Sequence, residues 1–345
     1  MKCYTSLLLL LPLIQATIPA SEYQANSDTA LKVLNEKWYD TKTGQWSKMW
    51  WQSGNIVTTI AHFGAIDSHY EPTAKSIIDT TYSQSGSEGW INGYYDDEGW
   101  WALAWIASYD LTHDPKYLNS AKNIFGDMIG GWTTNCTKGI WWDKSKSSIT
   151  AIANELFLSV AAHLANRVPE DEKENYIGWA QEEWDWFSGT GIINSDGLIN
   201  DGLDLKTCGS NGKEVFTYNQ GVVLGGLAEL ADATGDDSYI ASAKAIADSA
   251  LNKMTENGIL TEAKGHNDDT AGMFKGAFVR GLIRLQKQSS EQRYADFLKM
   301  NAESLLAKGK SNDGLFAMEW EGPSTGANAA SHASGIDLLV AAAQV

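Results

Sequence analysis

Apolar residues recur along this chain at spacings of three and four, and clusters of Gly, Asp and Asn break the runs they define. That period marks amphipathic helix, and the breakers are turn residues. Twelve helical segments are predicted. Six carry Lys, Glu and Asp along one side and cover roughly 24–38, 71–84, 115–130, 172–188, 237–254 and 291–308. The other six cover roughly 52–66, 97–111, 148–166, 218–233, 272–288 and 328–343. They are rich in Gly, Ala and large apolar residues and poor in charge. A helix with one wet face lies at a surface, whereas one that is apolar nearly all round is buried.

The two kinds alternate through the whole chain. Six wet-then-dry pairs, at a spacing of roughly 55 residues, predict a closed array of repeats. One repeat shows in the letters. Thr112-His-Asp-Pro-Lys-Tyr-Leu-Asn-Ser-Ala-Lys122 matches Thr234-Gly-Asp-Asp-Ser-Tyr-Ile-Ala-Ser-Ala-Lys244 at Thr, Asp, Tyr, Ser, Ala and Lys. Antiparallel helices joined by short turns form αα-hairpins. Six in a ring give an all-α fold, an (α/α)6 barrel of six helical hairpins with dry helices inside and wet helices outside. Two helical domains are the competing arrangement. With only six Pro and no Gly/Ser-rich stretch, the sequence offers no linker for it. The longer connections, 39–51, 131–147, 189–217, 255–271 and 309–327, all lead into dry helices and so gather at one end of the ring. Long loops on a rigid scaffold usually carry the binding residues, so that end is the expected working face.

Composition narrows the function. The 345 residues carry a net charge of −17, which gives no electrostatic footprint for nucleic acid or an anionic membrane. Lys2, an apolar run from Leu7 to Ile14 and small residues at Ala16 and Ala20 read as a secretory signal peptide. The run is too short for a membrane span. The expected organisation is a signal peptide at 1–20, cut after Ala16 or Ala20, and one catalytic domain at 21–345, secreted and extracellular. Cys136 and Cys208 then remain in polar, Gly-rich segments, and in an oxidising compartment they are expected to pair. Asn135 opens a glycosylation sequon, Asn135-Cys136-Thr137. Residues 335–345 lack the apolar tail of a lipid-anchor signal, so a freely secreted protein with no membrane anchor is expected, and a monomer is the expected state. The six His do not cluster, and neither metal nor cofactor is expected. Residues 194–204 have a passing likeness to a calcium loop but miss its template.

The densest chemistry lies at Tyr94-Tyr95-Asp96-Asp97-Glu98-Gly99-Trp100-Trp101, the start of the second dry helix. Acids at a helix start serve as caps and dipole partners. One capping acid is enough, however, and Asp96 and Asp97 stand between aromatics that can pack on sugar C–H faces. Glycoside hydrolysis needs two carboxyl groups, one to protonate the leaving oxygen and one to attack or to activate water. Two so close should also push their pKa values apart.

Asn92-Gly-Tyr-Tyr-Asp-Asp-Glu-Gly-Trp-Trp-Ala-Leu-Ala-Trp105 resembles the signature of glycoside hydrolase family 76, the endo-α-1,6-mannanases. So do Gly139-Ile-Trp-Trp142, Asn154-Glu-Leu-Phe157, Thr217-Tyr-Asn-Gln-Gly221 and Phe274-Lys-Gly276, in family order. The resemblance implies an (α/α)6 fold and retaining hydrolysis of α-1,6-mannan or mannooligosaccharides. It also implies Asp96 as nucleophile and Asp97 as acid/base. A wall-assembly transglycosidase and a non-catalytic mannan-binding protein are the rival functions. Further candidates each have a structural alternative. Asn55 binds sugar or caps; Asn154 contacts ligand or bridges; Tyr218, Asn219 and Gln220 open the fourth dry helix as expected sugar binders. Asp268 and Asp269 bind sugar or cap the fifth dry helix. Lys275 contacts sugar or pairs with acids in the core, and Arg280 is expected to be structural. Tyr95, Trp101 and Trp142 are stacking surfaces or core.

Overall fold

A computed structural model describes residues 18–345. The expected signal segment therefore lies almost entirely outside the described residues. All twelve predicted helices form. The dry ones are α2 (Trp50–Ile66), α4 (Tyr95–Thr112), α6 (Ala151–Ala165), α8 (Thr217–Thr234), α10 (Phe274–Ser289) and α12 (Ala329–Ala342). The wet ones are α1 (Ala20–Trp38), α3 (Glu71–Ser85), α5 (Pro115–Ile129), α7 (Glu170–Gly189), α9 (Ser238–Lys253) and α11 (Gln292–Ser304). Each dry helix packs on the next, α2 on α4 and so on, and α12 closes the ring on α2. The fold is an (α/α)6 barrel. Burial follows the sequence pattern. In α6 and α12 nearly every residue is buried, whereas α1 buries only the stripe Tyr23, Ser27, Ala30, Leu31 and Leu34. Where α8 meets α10 the approach needs glycine, because a Cβ on Gly281 would lie 1.8 Å from the Gly221 carbonyl oxygen.

The hairpins pair differently from the expected wet-then-dry order. Short turns run from each inner helix to the following outer one, so that α2 packs with α3, α4 with α5, α6 with α7 and α8 with α9. The sixth hairpin joins the two ends of the barrel, α12 packing on α1. There His332 Nε2 donates to the Ala30 carbonyl at 3.0 Å, while His332 Nδ1 accepts the Phe316 amide at 3.0 Å. Turn chemistry sets the ends of the helices. Asp114 caps α5 ahead of Pro115, and Asn328 with Ser331 forms a capping box on α12. Three short antiparallel ladders, unforeseen in the sequence, stiffen the long loops: Tyr39–Asp40 with Gln45–Trp46, Ile149–Thr150 with Gly202–Leu203, and Thr255–Glu256 with Ile259–Leu260.

A buried amide or imidazole fastens each of four long loops. Asn154 Oδ1 accepts the Ile140 amide at 2.8 Å, and its Nδ2 donates to the Ile140 carbonyl at 3.1 Å. Gln220 does the same for Ile199, at 2.8 and 2.9 Å. Asn301 Oδ1 accepts from Leu260, and His332 holds Phe316. These loops leave backbone groups unpaired in a dry environment, and the clamps satisfy them. Asn154 and Gln220 are therefore bridges rather than sugar contacts. Asn154→Ala is expected to cost about 1–3 kcal/mol by orphaning the Ile140 groups, read as a lower denaturation midpoint.

Candidate active site

The first turn of α4 lies at the end of the ring where the long loops gather. Tyr94 is its N-cap, and no side chain caps it. Neither Asp96 nor Asp97 is the N-cap, though Asp96 takes one first-turn amide. Asp96 Oδ2 accepts the indole N–H of Trp142 at 2.9 Å, and its Oδ1 accepts the Asp97 amide at 2.9 Å. Asp97 Oδ2 accepts Asn92 Nδ2 at 2.8 Å. Burial raises both carboxyls above the ordinary aspartate range, and the charge of Asp97 raises Asp96 further; the Trp142 and Asn92 donors oppose this. Two such neighbours titrate as a pair, which holds one proton at mildly acidic pH. Burial and the Asp97 charge lift Asp96 to about 7, against about 6 for Asp97, although Asp96 takes two N–H donors to one.

The donors are themselves built in. The 139–150 loop runs beside the start of α4, with the Tyr95 amide donating to the Trp142 carbonyl at 2.9 Å and the Lys144 amide to the Gly93 carbonyl at 3.0 Å. Asn154 holds that loop from below. Its turn at Gly139 has φ +75°, and a Cβ there would lie 2.2 Å from the Trp186 ring. Asn92 is positioned by Glu98, which the sequence reading left without a role. Glu98 is fully buried, and its Oε1 accepts the Asn92 amide at 3.0 Å and meets Lys144 Nζ at 2.9 Å. Lys144 also reaches Asp127, at 2.8 Å. Burial pushes Glu98 up to about 8, against the pull of Lys144.

The other candidates divide. Tyr218 is half-buried and stacks on Phe274 with ring centroids 3.8 Å apart. Burial pushes its phenol up, and the surrounding Asp201, Asp96, Glu155 and Glu262 push it further. Glu262 accepts the Thr217 amide at 3.2 Å and so pins the start of α8. Tyr95 and Trp101 are corrections. Tyr95 is buried under Lys144, and Trp101 is a fully buried core residue stacked on Trp105 at 5.3 Å. The exposed aromatic is Tyr94, 43% exposed and 4.9 Å from Trp142. One residue of helix phase separates Tyr94 from Tyr95 and decides which ring faces out.

Asn55 is buried, donates to the Trp51 carbonyl and accepts from Arg280, whose other partner is Asp337. It is thus an internal tie. Asn219 is fully buried, with no protein partner on its amide, and does not reach the surface of the cleft. Lys275 is buried over the Trp320 ring at 4.3 Å, donates to the Leu260 carbonyl and is pushed down to about 8 by burial. Asp268 caps the amides of Thr270 and Ala271 at 3.0 and 2.9 Å, as the structural alternative had it, and Asp269 is exposed beside it. Glu155 was also missed: it is buried on α6, and burial and the Asp201 charge raise it well above the usual glutamate range. Cys136 and Cys208 form a disulfide with Cα atoms 5.4 Å apart, tying the loop that carries Trp142 to the loop that carries Asp201. Asn135 is exposed, and its Nδ2 donates to the Leu205 carbonyl at 2.7 Å. Among the described residues no group of His, Cys, Asp and Glu could hold a metal, and no helix is long and apolar enough to cross a membrane.

A helical barrel whose loop-bearing end presents two adjacent, half-buried, hydrogen-bonded carboxyls among aromatic rings has the acid pair that a glycoside-processing class of protein needs. Glycosyl hydrolase family 76 is the family to which the chain belongs; the family model matches residues 20–342. Its similar relatives include the mannan endo-1,6-alpha-mannosidase DCW1 of Candida glabrata, 23% identical over 79% of this chain and 68% of that protein. The DCW1 protein of Candida albicans is 24% identical over 56% of this chain and 47% of its own length. The alignments thus span about half to two thirds of these relatives. The fold matches the α-1,6-mannanase of Salegentibacter sp. HEL1_6 with a TM-score of 0.81 at 23% identity, covering 93% of this chain and 99% of that one. That structure is an inactive variant with two adjacent aspartates replaced by alanine, in complex with alpha-1,6-mannotetrose. Dfg5 of Chaetomium thermophilum, in complex with glucosamine, matches with a TM-score of 0.78 at 17% identity, over 94% and 90% of the two chains.

Proposed function

We propose that this protein is a secreted, endo-acting hydrolase of α-1,6-mannan that works by double displacement. The observation that carries the reading is the Asp96–Asp97 pair, two half-buried acids side by side at the loop end, each held by its own N–H donor. In the first step Asp96 attacks the anomeric carbon, and Asp97 gives its proton to the departing oxygen. In the second, Asp97 takes a proton from water, which displaces the Asp96 ester and releases the sugar with its configuration retained. Trp142 and Asn92 are the positioning groups; Tyr94, Trp142, Tyr218 and Asp269 offer sugar contacts around them. The names of the relatives and the mannotetrose bound to the Salegentibacter protein support the substrate class.

The test is incubation with unbranched α-1,6-mannan, following reducing ends and the anomeric proton by NMR. Oligosaccharides of mixed length with the α-anomer first are expected. Release of the β-anomer first would mean inversion and would remove Asp96 as nucleophile. The pH profile should be bell-shaped, because activity needs one proton on the pair: too low a pH protonates Asp96, and too high a pH strips Asp97. Trp142→Phe removes a donor that favours the Asp96 anion, so the acid limb should move to higher pH by about one unit. An unmoved limb would separate Trp142 from the titration.

A further inference from the structure

The barrel has a second opening, at the end away from the acid pair. A cavity of about 340 Å³ lies there, walled by α2, α4, α6, α8 and α10 and reached by Gln344 beyond α12. On α4 the stripe Trp100, Leu103, Ala107 and Asp110 runs from its depth to its rim. At 1.5 Å per residue that stripe is about 15 Å long. The deep walls are apolar, with Trp100, Leu103, Val222 and Ala277, and the rim is charged. An apolar cleft of at least about 300 Å³ with a few convergent polar groups is the form that small-molecule sites take.

Most of the rim charge is already spent. Arg167 pairs with Asp110 and Glu229 at 2.8 and 3.0 Å, Arg284 with Glu229 at 2.8 Å and also with Asp232, and Arg280 with Asp337. Two groups are left over. Lys287 is exposed and forms no ion pair among the described residues; the one charge that bears on it is that of Arg284. His62 is half-buried and makes no hydrogen bond among the described residues. The charges that bear on it are those of Arg280, Lys287, His163 and Arg167, and with burial they hold its ring neutral. Cations on every side and an imidazole N–H with no acceptor favour an anion at that point. A single negative charge matches the single unspent ammonium, whereas a doubly charged phosphate would also meet Asp110 and Glu229 on the same rim.

We propose that this cavity binds a small amphipathic carboxylate, with its head between Lys287 and His62 and its apolar body running inward along Leu103 toward Trp100. Size sets the body. A water takes up about 30 Å³ of liquid, so the cavity has room for roughly ten heavy atoms, as in a straight chain of about eight carbons. The site shares no side chain with the acid pair, and its test needs no mannan.

Isothermal titration of the whole protein with straight-chain carboxylates from butanoate to decanoate, and with octanol as the uncharged partner, tests the site. Affinity should rise by about fourfold per CH₂ up to octanoate and then level off, because the cavity is full. Octanol should bind at least about tenfold more weakly than octanoate. Lys287→Gln should weaken octanoate by about tenfold and leave octanol unchanged. Ala65→Trp, which fills the mouth from an exposed position on α2, should weaken both by about 30-fold or more. Unliganded melting midpoints equal to that of the wild type show that both variants fold. No saturable binding at millimolar concentrations, affinity independent of chain length, or octanoate binding unchanged in either variant would overturn the proposal.

Discussion

Asp96→Asn and Asp97→Asn should each lower turnover on α-1,6-mannan by on the order of a thousandfold or more, Asp97→Asn without loss of stability and Asp96→Asn with only the loss of one N–H acceptor. The first part follows from chemistry, since each carboxyl forms or breaks a bond in both steps. The second follows from the cost of the site. Both acids are raised above the ordinary range by burial, and a group raised in the folded state stabilises below its unfolded pKa and loses that contribution as pH rises through the folded one. At neutral pH the ionised pair is therefore a burden on the fold, and the neutral amide removes it. The melting midpoint of each variant relative to wild type should rise between about pH 4 and pH 7.5, the window in which the wild-type pair loses protons. Acids that merely capped the helix would behave the other way, costing about 1 kcal/mol of stability on removal and leaving turnover nearly intact. Matched melting curves and rates at the two pH values separate the cases.

The scaffold was legible because helix burial has a period. The 97–111 segment appears as Tyr95–Thr112, and the 148–166 segment as Ala151–Ala165. The 291–308 segment ends its α-helix at Ser304 and finishes in a wider turn, Leu305–Gly309. The acid pair was legible because two carboxylates on a dry helix have no structural reason to be there. What could not be read was where a side chain is spent. Asn154 and Gln220 stand on dry faces, as ligand-binding amides would. Their partners are loop groups 14 and 21 residues away in sequence, and periodicity says nothing about which orphan carbonyl lies nearest. A signal existed, because a polar residue on an all-apolar helix must find a partner, and the Gly-Ile and Gly-Leu turns upstream supplied backbone groups in need of one. Trp101 shows the limit on the aromatic side. In a chain with fifteen Trp, a ring next to the acids is core unless its helix phase turns it out.

Cys136→Ser with Cys208→Ser should lower stability by about 4 kcal/mol, the chain-entropy value for a closed loop of this size. The bridge spans a sequence separation of 72 and joins two loops with few other ties across them. One is the Asn135 bond to Leu205, and the other is the short ladder of Ile149–Thr150 on Gly202–Leu203. The loss should also reach the chemistry, because the first loop presents Trp142 to Asp96 and the second carries Asp201 toward Glu155. Loosening the first loop weakens the donor that favours the Asp96 anion, so the acid limb of the pH profile should rise in the same direction as in Trp142→Phe, though by less. Asn154 and Gly139 still fix the root of that loop, which limits the loss in turnover to well below that of the aspartate variants. Denaturant melts of oxidised, reduced and double-Ser protein measure the first effect, and pH profiles on mannan the second. A double-Ser protein as stable as the oxidised one would mean that the loops are held by their ladders and clamps, with the disulfide redundant.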